Sequence, residues 1–271
     1  MNDTRWDPQQ YLGHADPRSR PFHDLVQRVP LTAPQRVVDL GCGPGNVTAT
    51  LAQRWPDAHI TGLDSSPAMI EAALPLAAST PLGTGRLDFR LADISGYVPE
   101  HDGVVDLLLS NAALQWVPNH FQLLPGWFEA LPSHGVLAFQ VPRNFDEPNH
   151  TLLTALRNSS RWRSQLGDAA NVAEFVPAVR QPIEYLDLFA SRGVHTDVWE
   201  GIYYHVLSGA TPVLEWMMGT GLRPVLSVLT EPAEREEFLA SYQADLAQAY
   251  PAAPYGTVLP YRRIFVVASK K

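Results

Sequence analysis

The sequence has few of the features that mark secreted, membrane-spanning and metal-binding proteins. It has one cysteine, Cys42, so an internal disulfide is excluded and a reducing compartment is expected. No apolar run reaches about 18 residues, and no charged stretch followed by an apolar one appears near residue 1, so neither a membrane span nor a secretory signal is predicted. The nine histidines lack the spacing of a zinc motif. We therefore expect a cytoplasmic protein that does not associate with membranes and holds no metal.

Basic charge is also scarce. The chain carries 20 lysines and arginines against 28 acidic residues, a formal net charge of -8. Nucleic-acid binding usually needs a basic surface, so no nucleic-acid partner is predicted, and nothing indicates an obligate protein partner. At 271 residues and 45% apolar content, the chain is long enough for one large domain with a cap. A small molecule is the favoured ligand.

The most informative stretch is the run from Val37 to Gly45, which reads VVDLGCGPG. Two β-branched residues lead into Asp39, and glycines follow at positions 41, 43 and 45, so a strand changes abruptly into a tight turn. Glycine is required where a side chain would block a ligand or where φ must be positive. Asn46 and the two residues after it can open a helix whose N-terminus attracts negative groups.

Two cofactor classes use such a loop. A dinucleotide site has the spacing G-x-G-x-x-G, whereas here Asp39 stands two positions before the first of three alternating glycines. A carboxylate there suits an ammonium group and would repel a pyrophosphate, so a nicotinamide oxidoreductase is the disfavoured alternative. Asp64 follows the second predicted strand and can accept hydrogen bonds from the ribose hydroxyls of either cofactor. Its alternative role is that of an acid favoured by a helix N-terminus.

The loop resembles the D-x-G-x-G-x-G motif of the S-adenosylmethionine-dependent methyltransferases. Further runs, at residues 6–8 with Tyr11, 62–70, 111–120, 203–205 and 220–224, resemble the trans-aconitate 2-methyltransferases. The likeness covers nearly the whole chain. It implies a cytoplasmic enzyme that methylates one carboxylate of trans-aconitate, a small polycarboxylate, giving a monomethyl ester and S-adenosylhomocysteine.

Periodicity predicts strands at about 36–40, 59–63, 87–91, 104–110, 135–141, 193–204 and 261–268, with helices between most of them. With the resemblance, this predicts a single α/β methyltransferase domain over 1–271. It is a Rossmann-like, doubly wound, seven-stranded and mostly parallel sheet of the class I methyltransferase type, whose last strand lies antiparallel beside the sixth. Residues 1–30 are predicted as an N-terminal helical segment and 143–182 as a small helical cap over the active site.

Residues just beyond the carboxyl ends of parallel strands line the ligand site of such folds. Together with the resemblance, this rule gives the predicted S-adenosylmethionine site. It comprises Asp39, Gly41, Cys42, Gly43, Gly45, Asn46, Asp64, Ser65, Met69, Ala92, Asp93, Ile94, Asn111, Ala112 and Trp116. For Trp116, packing in the hydrophobic core is an equally supported alternative to lining the ligand site. For Asp93, the alternative is a solvated acid in a loop.

A carboxylate nucleophile is already ionised at neutral pH, because its ordinary pKa is near 4. We therefore assign no general base. An acidic protein needs local arginines to bind a polyanion. Resemblance and position together predict the substrate-binding set, which comprises Tyr11, Arg20, Trp116, Gln140, Tyr204, Arg223 and Arg263. Two alternatives stay open: methylation of another small acid or metabolite, and a non-catalytic protein that binds S-adenosylmethionine.

Overall fold

Parallel strands form the centre of the fold. The computed structural model describes residues 15–167 and 179–271. Its strands are β1 (Arg36–Leu40), β2 (His59–Asp64), β3 (Arg86–Leu91), β4 (Leu107–Asn111), β5 (Val136–Pro142), β6 (His195–Leu207), β7 (Ala252–Ala253) and β8 (Gly256–Ser269). β1, β4 and β5 are almost entirely buried, as expected of parallel strands covered on both faces. Their near-continuous apolar sequences therefore follow from their central positions.

The order of the strands is β3-β2-β1-β4-β5-β8-β6, and the short β7 pairs with β8. The pairs β1/β2, β2/β3, β1/β4 and β4/β5 are parallel, and β7/β8 is antiparallel. The predicted mostly parallel, doubly wound sheet is confirmed, and the last long strand lies beside β6 as expected. The order reverses between β1 and β4, and a crevice opens at the carboxyl ends of the strands at such a switch point.

Helices connect most of the strands. Those in the described residues are α1 (Ala15–Gln27), α2 (Leu51–Arg54), α3 (Pro67–Ser79), α4 (His120–Glu129), α5 (Pro148–Arg157), α6 (Arg163–Leu166), α7 (Pro182–Ala190), α8 (Pro212–Met218), α9 (Arg223–Val228) and α10 (Pro232–Ala249). α3 begins as predicted, because Ser66 caps it by accepting from the Met69 N–H, with Pro67 in its first turn. No helix in the described ranges is long and apolar enough to span a membrane.

The helix after the glycine loop begins as a 3₁₀ turn at Thr48, inside the stretch that was expected to open it. Some predicted strand boundaries are wrong. β4 starts at Leu107 rather than Val104, which follows the left-handed Gly103 and is exposed. β8 starts at Gly256, five residues before the predicted start. Each boundary was displaced by a local backbone feature or by pairing that periodicity does not report.

The described residues form two compact units. The sheet unit comprises residues 15–142, 179–201 and 264–271, and the helical unit comprises 143–167 and 202–263. The helical unit has its own apolar core, in which Trp162, Trp216 and Phe238 are almost completely buried. The single domain, the N-terminal helical segment and the cap over the active site stay predictions.

A buried polar network ties α5 to α10 within the helical unit. Asn149 is fully buried, and its backbone N–H donates to the Tyr250 hydroxyl over 3.0 Å. The same hydroxyl donates to the Asn149 Oδ1 over 3.0 Å, while the Tyr242 hydroxyl donates to the Asn149 carbonyl. Tyr250 thus satisfies a donor at the start of α5 that has no partner inside the helix.

Replacing Tyr250 by phenylalanine should therefore destabilise the protein by about 1–3 kcal/mol, because two buried polar groups of Asn149 lose their partner. Urea unfolding of the purified protein measures this change. Tyr255→Phe is the matched control, since Tyr255 is 69% exposed. Equal stability of both variants would mean that the network contributes little.

Candidate active site

A crevice of about 170 Å³ lies at the carboxyl ends of β1, β2, β3 and β4. All of its lining residues belong to the sheet unit. They are Gly41, Gly43, Pro44, Asp64, Ser65, Met69, Asp93, Ile94, Asn111, Ala112, Ala113, Trp116 and Val117. The strand order places the groups in sequence along the crevice, with Asp93 and Asp64 toward one end and Asn111 toward the other.

The glycine loop is anchored to β2 and left open on its other side. The Leu63 carbonyl accepts from both the Gly41 N–H (2.7 Å) and the Cys42 N–H (2.9 Å). Gly41 has a φ of 79°, and a Cβ on it would lie 2.2 Å from the Ala113 Cβ, so no larger residue fits. A Cβ on Gly43 would meet no atom within 4 Å. The backbone at Gly43 is therefore accessible to a ligand.

Asp64 joins the loop to the start of α3. Its Oδ2 accepts from the Gly43 N–H and its Oδ1 from the Ser66 N–H, both over 2.9 Å. Burial raises the pKa of the Asp64 carboxyl, while hydrogen bonds from the backbone N–H groups of Ser66, Gly43 and Ser65 act in the opposite direction. A carboxylate accepts about four hydrogen bonds, so these contacts leave lone pairs for a ligand in the crevice. Paired hydroxyls of a ribose suit this acceptor.

Asp39 lies beneath the loop rather than at its surface. It is 1% exposed, and the Thr48 hydroxyl donates to its Oδ2 over 2.6 Å. In the described part of the chain its Oδ1 has no hydrogen-bond partner. Burial, together with the nearby Asp64 charge and despite the Thr48 hydrogen bond, raises the pKa of Asp39 to about 7. A cationic group above the loop would favour the ionised form of this carboxyl.

The two ends of the crevice differ in the side chains that line them. Asp93 follows β3 and caps a short 3₁₀ turn, its Oδ1 accepting from the Ser95 N–H over 2.9 Å, and Ile94 beside it is apolar. At the other end, Trp116 lines the wall and is 36% exposed, which favours the predicted wall over core filler. Asn111 also lines this end.

Ten residues of the predicted cofactor site line the crevice, namely Gly41, Gly43, Asp64, Ser65, Met69, Asp93, Ile94, Asn111, Ala112 and Trp116. Five predicted residues do not line it, namely Asp39, Cys42, Gly45, Asn46 and Ala92. Cys42 is buried, and Ala92 lines a neighbouring cavity. Pro44, Ala113 and Val117 line the crevice and were not predicted as site residues, although all three lie inside the runs 37–45 and 111–120.

The predicted substrate residues are more scattered. In the sheet unit, Trp116 lines the crevice, Gln140 is fully buried, and Arg20 is exposed with Asp24 3.9 Å away. The others lie elsewhere: Tyr204, Arg223 and Arg263 in the helical unit, and Tyr11 outside the described residues.

Within the helical unit these residues differ in exposure. Tyr204 is 67% exposed on β6, whereas Arg263 is 4% exposed and lies over the Tyr261 ring at 4.7 Å. Arg223 is the first residue of α9. Their substrate contacts stay predictions.

The raised pKa of Asp39 predicts a pH dependence of stability. In the folded protein this carboxyl keeps its proton up to about pH 7, whereas its ordinary pKa is 3.8. The folded state therefore binds more protons in this window, and wild type should lose stability relative to Asp39→Asn as pH rises from about 4 to 7. The loss should reach a few kcal/mol, since one pH unit corresponds to about 1.4 kcal/mol.

Urea unfolding at pH 4.5, 6 and 7.5 checks this difference, with the exposed Asp187→Asn as the control for loss of a carboxyl group. If wild type and Asp39→Asn lose stability in parallel across these pH values, the Asp39 carboxyl is ionised in the folded protein and its raised pKa is wrong.

Comparison with known proteins gives a consistent family. Residues 37–135 match the family described as "Methyltransferase domain". The trans-aconitate 2-methyltransferase of Streptomyces avermitilis is 51% identical, covering 98% of this chain and 97% of that protein, and that of Rhodococcus jostii is 47% identical, covering 97% and 98%. A solved structure of a putative methyltransferase from Bacillus halodurans is 13% identical with a TM-score of 0.57, covering 93% of this chain and 99% of that one, and shares the fold. The predicted family is confirmed: the chain belongs to the trans-aconitate 2-methyltransferases.

Proposed function

We propose that this enzyme uses S-adenosylmethionine to methylate one carboxylate of trans-aconitate, giving the monomethyl ester and S-adenosylhomocysteine. The observation that carries the proposal is the near-full-length identity to relatives of that name, 51% over 98% of the chain in one case. The crevice adds an independent reason, because its acidic groups and open glycine loop fit an adenosine with a cationic amino-acid part.

We assign the cofactor contacts by chemistry. Asp64 would accept from the ribose hydroxyls, and Asp93 from an adenine amino group. The open backbone at Gly43 would receive the amino-acid part, with the buried Asp39 near its ammonium group. The other predicted residues that line the crevice would contact the apolar parts of the cofactor. When bound, the cofactor supplies an electrophilic methyl carbon on a sulfonium.

The transfer needs positioning more than proton chemistry. A carboxylate oxygen of the substrate would form a bond to the methyl carbon as the carbon–sulfur bond breaks, and the negative charge of that carboxylate would cancel the positive charge of the sulfonium. No proton moves, so no general base is required. Among the described residues, the lining of the crevice contains no histidine, lysine or arginine. The protein's part is to align the two reactants and exclude water.

Binding of a polycarboxylate calls for positive charge, which the described crevice lining does not supply. We propose Arg20, Arg223 and Arg263 as its source, with Tyr204 and Tyr11 as neutral contacts. Resemblance and position in the sequence support this choice; the burial of Arg263 adds no support, because its guanidinium already lies over the Tyr261 ring. We also propose that the enzyme acts in the cytoplasm, where the Cys42 thiol stays reduced, with no nucleic-acid or obligate protein partner.

The purified protein, incubated with methyl-labelled S-adenosylmethionine and a panel of trans-aconitate, cis-aconitate and citrate, should place base-labile label mainly on trans-aconitate. A methyl ester is cleaved by mild base, so the lability identifies a carboxylate product.

Label on another acid alone would replace the substrate and keep the reaction. S-adenosylhomocysteine binding with no labelled acid would instead favour a non-catalytic binding protein.

A further inference from the structure

Gln140 and Asn111 form a side-chain pair at the carboxyl ends of two adjacent parallel strands. They are direct partners in the register of β4 and β5. Gln140 is 0% exposed, and its Nε2 donates to the Asn111 Oδ1 over 2.7 Å. The Gln140 carbonyl also accepts from the Ala112 N–H over 3.0 Å. Of this pair only Asn111 lines the crevice.

This contact fixes which end of the Asn111 amide faces the crevice. A primary amide has one acceptor oxygen and two N–H donors. Gln140 engages the oxygen, so the Nδ2 group remains, and the described residues offer it no hydrogen-bond partner. With one lone pair of its oxygen engaged by Gln140, Asn111 has both Nδ2 hydrogens available as donors to whatever occupies this end of the crevice.

The backbone around Asn111 is held firmly. Ala112 has a φ of 54°, a conformation that is uncommon for a residue with a Cβ. Its carbonyl accepts from the Gln115 Nε2 over 2.7 Å, and on the other side of Asn111 the Ser110 hydroxyl donates to the Leu40 carbonyl over 2.8 Å. A backbone fixed in this way leaves the side-chain amide as the part that has to be oriented.

The chemistry that matches a pair of exposed N–H donors is an anionic oxygen, and charge-assisted hydrogen bonds are the stronger ones. We propose that Gln140 is a positioning residue, which orients the Asn111 N–H donors toward a ligand carboxylate. This inference rests on the proposed function, which offers two carboxylates here: that of the cofactor's amino-acid part and that of the substrate. It replaces the predicted direct contact between Gln140 and substrate, because a fully buried side chain acts through its neighbour.

Gln140→Glu tests the inference with almost no change in size. The ionised carboxylate of this variant cannot donate, so it turns the Asn111 amide and presents an oxygen to the ligand carboxylate. Affinity should fall about tenfold or more, and the loss should grow from pH 6 to 9, since a neutral carboxyl can still donate. Gln140→Met lets both amide orientations coexist and should cost only about twofold. Gln122→Glu, on the exposed face of α4, controls for the added charge.

Binding of two nucleosides shows whether the carboxylate that Asn111 contacts belongs to the cofactor or to the substrate. If it belongs to the cofactor, Gln140→Glu weakens the binding of S-adenosylhomocysteine and leaves the affinity for 5′-methylthioadenosine, which lacks the amino-acid part, unchanged. If it is the substrate's, both affinities stay unchanged and the KM for trans-aconitate rises about tenfold.

Equal weakening of the two nucleosides would overturn the inference, because it indicates a structural role. The inference would also be overturned if Gln140→Glu changed neither the two affinities nor the KM by more than Gln122→Glu does. The binding measurements do not depend on turnover, so wild type that fails to methylate trans-aconitate refutes the proposed function, while the comparison of S-adenosylhomocysteine with 5′-methylthioadenosine still tests this inference.

Discussion

The site depends on the two hydrogen bonds that Asp64 accepts from backbone N–H groups on opposite sides of it. One comes from Gly43 in the glycine loop and the other from Ser66 at the start of α3, each 2.9 Å long. They hold the loop after β1 against the end of β2. With both oxygens fixed and partly buried, the carboxylate is already oriented for a ligand, so binding does not have to order it.

The strand order then explains how hydrogen-bond acceptors and donors are arranged along the crevice. Acidic acceptors lie at the ends of β2 and β3, an open loop lies at β1, and amide donors lie at β4. An adenosine that carries a cationic amino acid matches this sequence of acceptor, open backbone and donor. Because a carboxylate nucleophile needs no base, the described lining can do without one.

The sequence predicted those parts of the fold and site whose signals are local. The apolar run before the glycines predicted β1, and the hydroxyl before Pro67 predicted the Ser66 cap. Asp64, predicted from its place after the second strand, lies in the crevice. The burial of Gln140 could not be predicted, since its partner lies 29 positions away in a neighbouring strand whose register no local pattern reports.

The central claim is that the Asp64 carboxylate receives the ribose of S-adenosylmethionine. Calorimetric titration of S-adenosylhomocysteine into wild type and into Asp64→Asn, with NADH titrated into wild type, tests it most directly. Loss of charge-assisted hydrogen bonds should weaken S-adenosylhomocysteine binding by roughly 1.5–3 kcal/mol, and NADH should not bind. Unchanged affinity in the variant would remove Asp64 from the site, and tight NADH binding would contradict the choice of cofactor.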